Sequence, residues 1–268
     1  MQNNLNELAP SVLTIAREAG EKILEIYRSD FEVETKSDDS PLTAADKAAH
    51  NHIVAGLTAL TPDIPILSEE SAEIPFAERS QWQEYWLVDP LDGTKEFIKK
   101  NGEFTVNIAL IQGNTAVLGV VHVPDKSVDY WGYQEGADKA AFMQSADGSV
   151  APISVTSPSE VPVRVVGSRS HRGELVDAYL EKLGDHVMVS MGSSLKLCLV
   201  AAGDADVYPR LGLTSEWDTA AAQAVVESAG GKVITIEGEP LLYNAKEDIL
   251  NPFFLVYGDL SRDWTSYL

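Results

Sequence analysis

From about Asn4 to Arg28, apolar residues recur at Leu8, Val12, Ile15, Ala19, Ile23 and Tyr27, the spacing of one face of a helix. Pro10 fits such a helix only in an early turn. A second helical pattern follows SPLT, runs through AADKAAHNHIVAGLTAL and is stopped by Thr61 and Pro62. The period then changes. IPILS, YWLVD, FTVNIALIQ, TAVLGVVHVP, SVDYWGYQ and AAFMQ read as short strands, joined by turn-type residues such as Gln112-Gly113-Asn114 and Pro124-Asp125-Lys126. Consecutive strands with short turns predict an antiparallel sheet.

After about residue 160 strands and helices alternate: VRVVGS, GELVDAYLEKLG, VMVS, SLKLCLVAAG, DVYPR, TAAAQAVVESAG and KVITI. That alternation is the signal of βαβ units. The expected organisation is an α+β subdomain over residues 1–158 and an α/β subdomain over residues 159–268, meeting near residues 155–162.

Charge narrows the possible partners. Lys and Arg number 20 against 41 Asp and Glu, a net charge of −21 with no basic patch. This excludes a nucleic-acid polymer as an expected partner, and the scattered acid reads as a solubilising surface. A single cysteine, Cys198, excludes an intrachain disulfide and a cysteine-rich zinc site. MQNNLNELAP has no basic segment leading into an apolar run, and no window approaches 18 uninterrupted apolar residues. The expectation is a soluble cytoplasmic protein without an integral membrane segment, association with the inner membrane face being left open.

Against that background one stretch stands out. YWLVDPLDGTKEF runs a hydrophobic strand into Asp89, Pro90, Leu91, Asp92, Gly93 and Thr94. A turn there, with φ fixed at Pro90 and a tight backbone permitted by Gly93, lets two carboxylates converge. Converging carboxylates repel unless a cation holds them, and hard oxygen ligands suit magnesium. Leu91 would offer its carbonyl oxygen. Gly93, Thr94 and Lys95 look like the start of a short helix, KEFIKK, whose N–H groups suit a phosphate oxygen. Taken alone, DPLDGT fits an Asx-turn with solvated aspartates equally well. Further acids lie at Glu69 and Glu70, ending IPILSEE, at Asp218 after Trp217, and at Asp46 in TAAD, where Thr43 with Asp46 also reads as a capping box.

Taken in order, Asp46, Glu69-Glu70, DPLDGT and Trp217-Asp218 resemble the signature of the lithium-sensitive, magnesium-dependent phosphomonoesterases of the inositol monophosphatase superfamily. Four pieces across about 170 residues are far more specific than any one of them. Within that superfamily the chain is similar to the CysQ-type 3'(2'),5'-bisphosphate nucleotidases through SPLTAAD, VDPLDGTKEFIKKNGEFTVNIALI, SRSH, GSSLKLCLVAAGDADVYPR and EWDTAA. Lys95-Glu96-Phe97 after the DGT favours the nucleotidases over the inositol monophosphatases. One departure is Ala222, where the family commonly has a glycine, which bears on how closely that helix packs.

The resemblance implies a layered α-β-α-β-α sandwich of the inositol monophosphatase and fructose bisphosphatase type. It implies that Glu69, Asp89, Asp92, Asp218 and the Leu91 carbonyl hold two or three Mg2+ ions, and that Asp46 and Thr94 orient an attacking water. Gly93 and Thr94 would hold the reacting phosphate. Ser168, His171, Ser193, Lys196, Arg210 and Asp218 would meet the rest of a small-molecule nucleotide, 3'-phosphoadenosine 5'-phosphate, cleared during sulfate assimilation. Glu70 reads either as a water-orienting neighbour or as an exposed one. Lys196 also fits a lysine lying along its helix, and Arg210 a partner of Glu216. His50, His52, His122 and His186 receive no role. Two alternatives stand beside this reading: an inositol or sugar phosphate as substrate, and a metal-binding regulatory module without turnover. Oligomeric state is not addressed by any feature of the sequence.

Overall fold

A computed structural model describes residues 4–29, 41–71, 73–167 and 173–268. The first helix, α1 (Leu5–Tyr27), is capped by Asn4, whose side chain accepts from the N–H of Asn6 at 3.1 Å. All six apolar positions that predicted its buried face are buried. Pro10 sits exposed at the sixth helical position, in the second turn of this 23-residue helix. The second helix, α2 (Pro41–Leu60), packs along α1. Because α2 begins at Pro41, Thr43 and Asp46 are both inside it, and Asp46 is no cap.

The first sheet holds β1 (Ile66–Ser68), β2 (Glu84–Asp92), β3 (Thr105–Gln112), β4 (Thr115–Val123), β5 (Val128–Glu135), β6 (Asp138–Gln144) and β7 (Val150–Pro152), side by side in chain order. The pairs from β2 to β7 are antiparallel as expected, while β1 runs parallel to β2. Glu69 and Glu70 lie just past β1, in a 3-10 turn. Two short helices, α3 (Phe76–Arg79) and α4 (Thr94–Ile98), flank β2.

The second sheet has the order β11-β12-β10-β8-β9, from β8 (Val163–Gly167), β9 (His186–Ser190), β10 (Val207–Arg210), β11 (Lys232–Thr235) and β12 (Phe254–Tyr257). Only β9–β8–β10 is parallel; β12, which the sequence pattern did not pick out, lies antiparallel between β10 and β11. The pure βαβ expectation therefore holds for half the sheet. The accompanying helices are α5 (Glu174–Leu183), α6 (Leu195–Ala201) and α7 (Ala220–Ser228).

Alternation along the strands sorts the side chains into layers. Trp86, Val88, Ile108 and Leu110 face α1 and α2, whereas Tyr85, Leu87, Ala109 and Ile111 face α6 and α7. In the second sheet Phe254 and Val256 face the same α6–α7 layer, while Leu255 and Tyr257 face α5 and Trp264. The order is helix, sheet, helix, sheet, helix. Close approach of α7 to the first sheet comes from the sheet: a Cβ on Gly119 would stand 2.0 Å from the Ala221 carbonyl, and one on Gly132 2.9 Å from Ser228 Cβ. Ala222, fully buried, is thus accommodated without a glycine on the helix.

Candidate metal and phosphate site

The DPLDGT stretch is no turn. Asp89 pairs with Asn107 and Asp92 with Thr105, so Pro90 and Leu91 together oppose Val106, and β2 continues through a β-bulge to Asp92. The extra residue bends the strand end and re-aims its side chains. Pro90 belongs here because the bulge needs no ladder N–H from it. Asp89 Oδ1 accepts the Leu91 N–H at 3.0 Å, and Leu91 is buried toward the α1–α2 layer. Gly93 follows at φ 100°, where a Cβ would press on Phe104 and the Glu103 carbonyl, and Thr94 opens α4.

The bulge brings Asp89 and Asp92 to Asp218, which comes from the turn before α7; one carboxylate oxygen of each lies within 4.8 Å of the others. Asp218 Oδ2 accepts the Ser215 N–H at 3.0 Å. That turn is pinned from behind by Asn251, whose Nδ2 donates to the Ser215 carbonyl at 3.0 Å and to Thr219 Oγ1 at 2.9 Å. Neighbouring carboxylates raise the pKa of Asp89 and of Asp218. Burial, then Asp92, Glu69, Asp218 and Asp46, hold Asp89 well above the ordinary carboxylate range. Burial and then Asp92 push Asp218 up to about 8. Asp92 is raised by burial, against Lys196 and the Ser194 N–H, which lower it.

Glu69 is exposed and is not one of the three converging carboxylates, yet it acts on both Asp89 and Asp218. Parallel pairing of Ser68 with Val88 sets Glu69 and Asp89 at neighbouring strand ends. Asp46 is half-buried on α2, which touches β2, α4 and the turn of Glu69. The elements carrying Asp46, Glu69, Asp89, Asp92 and Thr94 therefore meet. A histidine first given no role also belongs here: His50, one turn after Asp46, bonds Ser68 Oγ through Nδ1 at 2.9 Å, immediately before Glu69.

Beside the carboxylates opens a cavity of about 490 Å³ between the sheets. Asp92, Gly93, Ser193, Lys196, Arg210 and Asp218 are among the residues that line it. Ser193 holds a positive φ of 41° and its carbonyl accepts from Lys196 Nζ at 2.6 Å. Lys196 also lies 5.8 Å over the Tyr208 ring, and burial lowers its pKa against the pull of Asp92. Arg210 bonds the Thr214 hydroxyl and, at 2.7 Å, the Leu213 carbonyl. The alternative pairing with Glu216 is not among its bonds: Glu216 is fully buried and accepts the Asn244 N–H at 2.8 Å. Lys95, read in the sequence as part of the start of a short helix and of the stretch favouring the nucleotidases, lines the same cavity as a third cation. Ser168 and His171 lie outside the described residues.

The donor set suits a hard divalent cation. Three carboxylates that burial and mutual repulsion push toward their neutral forms regain their charges when a cation is added. Three positive side chains in the lining, Lys95, Lys196 and Arg210, suit an anionic group in the same cavity.

Comparison with known proteins places this geometry. The model of the Inositol monophosphatase family matches residues 4–256. The chain is 50% identical over 247 residues to the 3'(2'),5'-bisphosphate nucleotidase CysQ of Salmonella typhimurium, covering 91% of this chain and 97% of the relative. It is 40% identical to the protein of that name from Haemophilus influenzae, over 98% and 97% of the two chains. Among solved structures, CysQ from Bacteroides thetaiotaomicron superposes with a TM-score of 0.85 at 42% identity, covering 96% of this chain and 98% of that one. An inositol monophosphatase from Zymomonas mobilis shares the fold, with a TM-score of 0.77 at 22% identity over 99% of each chain.

Proposed function

The chain belongs to the inositol monophosphatase family, and on that premise we propose that it is a magnesium-dependent phosphatase removing the 3'-phosphate of 3'-phosphoadenosine 5'-phosphate, giving AMP and phosphate. The observation that carries this reading is one cavity lined both by Asp92 and Asp218, two of the converging carboxylates, and by the cations Lys196 and Arg210. A substrate with two phosphates uses both the acids, through a metal, and the cations. A monophosphate of an uncharged polyol has no second phosphate for the cations to meet.

Asp89, Asp92 and Asp218, with Glu69 and the Leu91 carbonyl, would hold the ions. When bound, Mg2+ supplies polarised phosphoryl oxygens, a water of lowered pKa and charge relief for the leaving oxygen. The chain's own groups do the rest. Asp46 and Thr94 orient the attacking water in line with the scissile bond. N–H groups of Gly93 and Thr94 hold the phosphate, while Lys196 and Arg210 take the 5'-phosphate. Cys198 is fully buried and its thiol is pushed up by burial, so it serves no nucleophilic role.

The test is phosphate release in Mg2+ from 3'-phosphoadenosine 5'-phosphate beside inositol 1-phosphate at matched low concentrations. Preference for the nucleotide is the expected result. Preference for the inositol ester would overturn the substrate and keep the chemistry, and release from neither would leave a metal-binding module.

A further inference from the structure

Three side chains of one strand, none assigned a part so far, reach from the first sheet to the loop that opens α6. Glu103, Thr105 and Asn107 alternate along β3 and its approach, so they share a face. Glu103 Oε2 accepts the Gly192 N–H at 2.9 Å. Thr105 Oγ1 lies 2.9 Å from Ser194 Oγ, and Ser194 Oγ donates to Asn107 Oδ1 at 2.8 Å. A hydroxyl has one proton, so Thr105 must donate to Ser194, which makes a directed chain. Thr105, Asn107 and Ser194 are at most 2% exposed. The Ser194 N–H meanwhile donates to Asp92 Oδ2 at 2.5 Å. The Asn107 side chain also reaches Asp92 and favours its charged form.

The loop thus holds a carboxylate of the metal site by its backbone and starts the helix that carries Lys196. We propose that Thr105, Ser194 and Asn107 are positioning residues that fix Lys196 relative to Asp92 and the carboxylate cluster, and so set the preference for a substrate with two phosphates. This rests on the bisphosphate reading above. Buried polar groups in one network strengthen one another, so breaking one bond loosens the start of α6 while the Ser194 N–H still holds Asp92.

Thr105→Val keeps the shape and removes the donated proton; Ser194→Ala removes the bridge and keeps the N–H to Asp92. Each is compared with wild type on 3'-phosphoadenosine 5'-phosphate and on 3'-AMP, the same ester without the second phosphate. The ratio of the two kcat/KM values should fall about tenfold, mostly through KM for the bisphosphate, the scale seen when groups behind a ligand are lost. The kcat on 3'-AMP should stay within about threefold of wild type, a change under 1 kcal/mol. Thr105→Ser, which restores the hydroxyl, should recover the ratio. If wild type prefers the bisphosphate and both disrupted variants keep that preference with normal unfolding midpoints, the network has no such role. If Thr105→Ser fails to recover a lost ratio, general loosening is the cause instead. A wild type with no preference sinks the functional reading itself.

Discussion

Two buried aspartates on the first sheet have opposite surroundings. Asp129 on β5 is 2% exposed and Asp89 on β2 is 1% exposed, and burial disfavours the charge of each. Asp129 is met by the chain's own partners: His122 Nδ1 at 2.7 Å and Arg17 at 2.7 Å, and despite burial its pKa is lowered. Asp89 is met by Asp92, Glu69, Asp218 and Asp46, all of its own sign, and its pKa is raised. A carboxylate that serves the fold is neutralised from within. One that serves a ligand is left for a cation from outside.

The largest effect should come from breaking the second region. Asp92→Asn removes one of the converging carboxylates and should lower kcat/KM by about 10²–10³-fold, the range for losing one preorganised electrostatic group. The metal-free protein should at the same time unfold at a higher temperature, because a like charge is gone, and its gain of stability on adding Mg2+ should shrink. Calorimetry with and without Mg2+ reads both. A metal-free variant that unfolds at a lower temperature would mean the cluster is internally compensated after all.

Next in size is Asp129→Ala, expected to cost about 2–3 kcal/mol, below the 3–5 of a fully buried pair because Arg17 is partly exposed. Urea unfolding measures it, and kcat/KM of the folded fraction should stay at the wild-type value. Lys196→Ala should follow, costing about 1.5–3 kcal/mol in kcat/KM for the bisphosphate and much less for 3'-AMP, as expected for a charged hydrogen bond to one phosphate only. Equal losses on both would assign Lys196 to the reacting phosphate.

The contrast was unequally legible in the sequence. The buried face of α1 and the antiparallel run from β2 to β7 follow from periodicity, because each is a local pattern repeated over many residues. β12 did not follow: it is four residues long, and its place is fixed by β10 and β11, far away in the chain. The bulge at Asp89 to Asp92 read as a turn, since Pro90 and Gly93 carry strong local turn preferences while pairing of Asp92 with Thr105 is a tertiary fact. The three converging carboxylates were legible through ordered motifs. His50, Thr105 and Asn107 were not, because a polar residue in a helix or strand shows no partner until the distant segment arrives.

The smallest effect per step, and the one that divides the two regions most sharply, is the response of stability to pH. Asp129 has a folded pKa below its unfolded value, so it stabilises above the unfolded value and that stability is lost as pH falls through the folded one. Asp218 is the reverse: its folded pKa of about 8 lies above the ordinary 3.8, so between those values the folded, metal-free chain holds the extra proton. Stability of that form should decline as pH rises from about 4 to 8, by at most about 1.4 kcal/mol per unit for one proton. Saturating Mg2+ should flatten or invert the slope, because the ion displaces the proton. Asp218→Asn should flatten it without Mg2+, and Asp129→Asn should leave it intact while removing the loss in acid. A metal-free slope that survives Asp218→Asn would assign the proton to Asp89 or Asp92, and one that vanishes in Asp129→Asn would erase the distinction between the two regions.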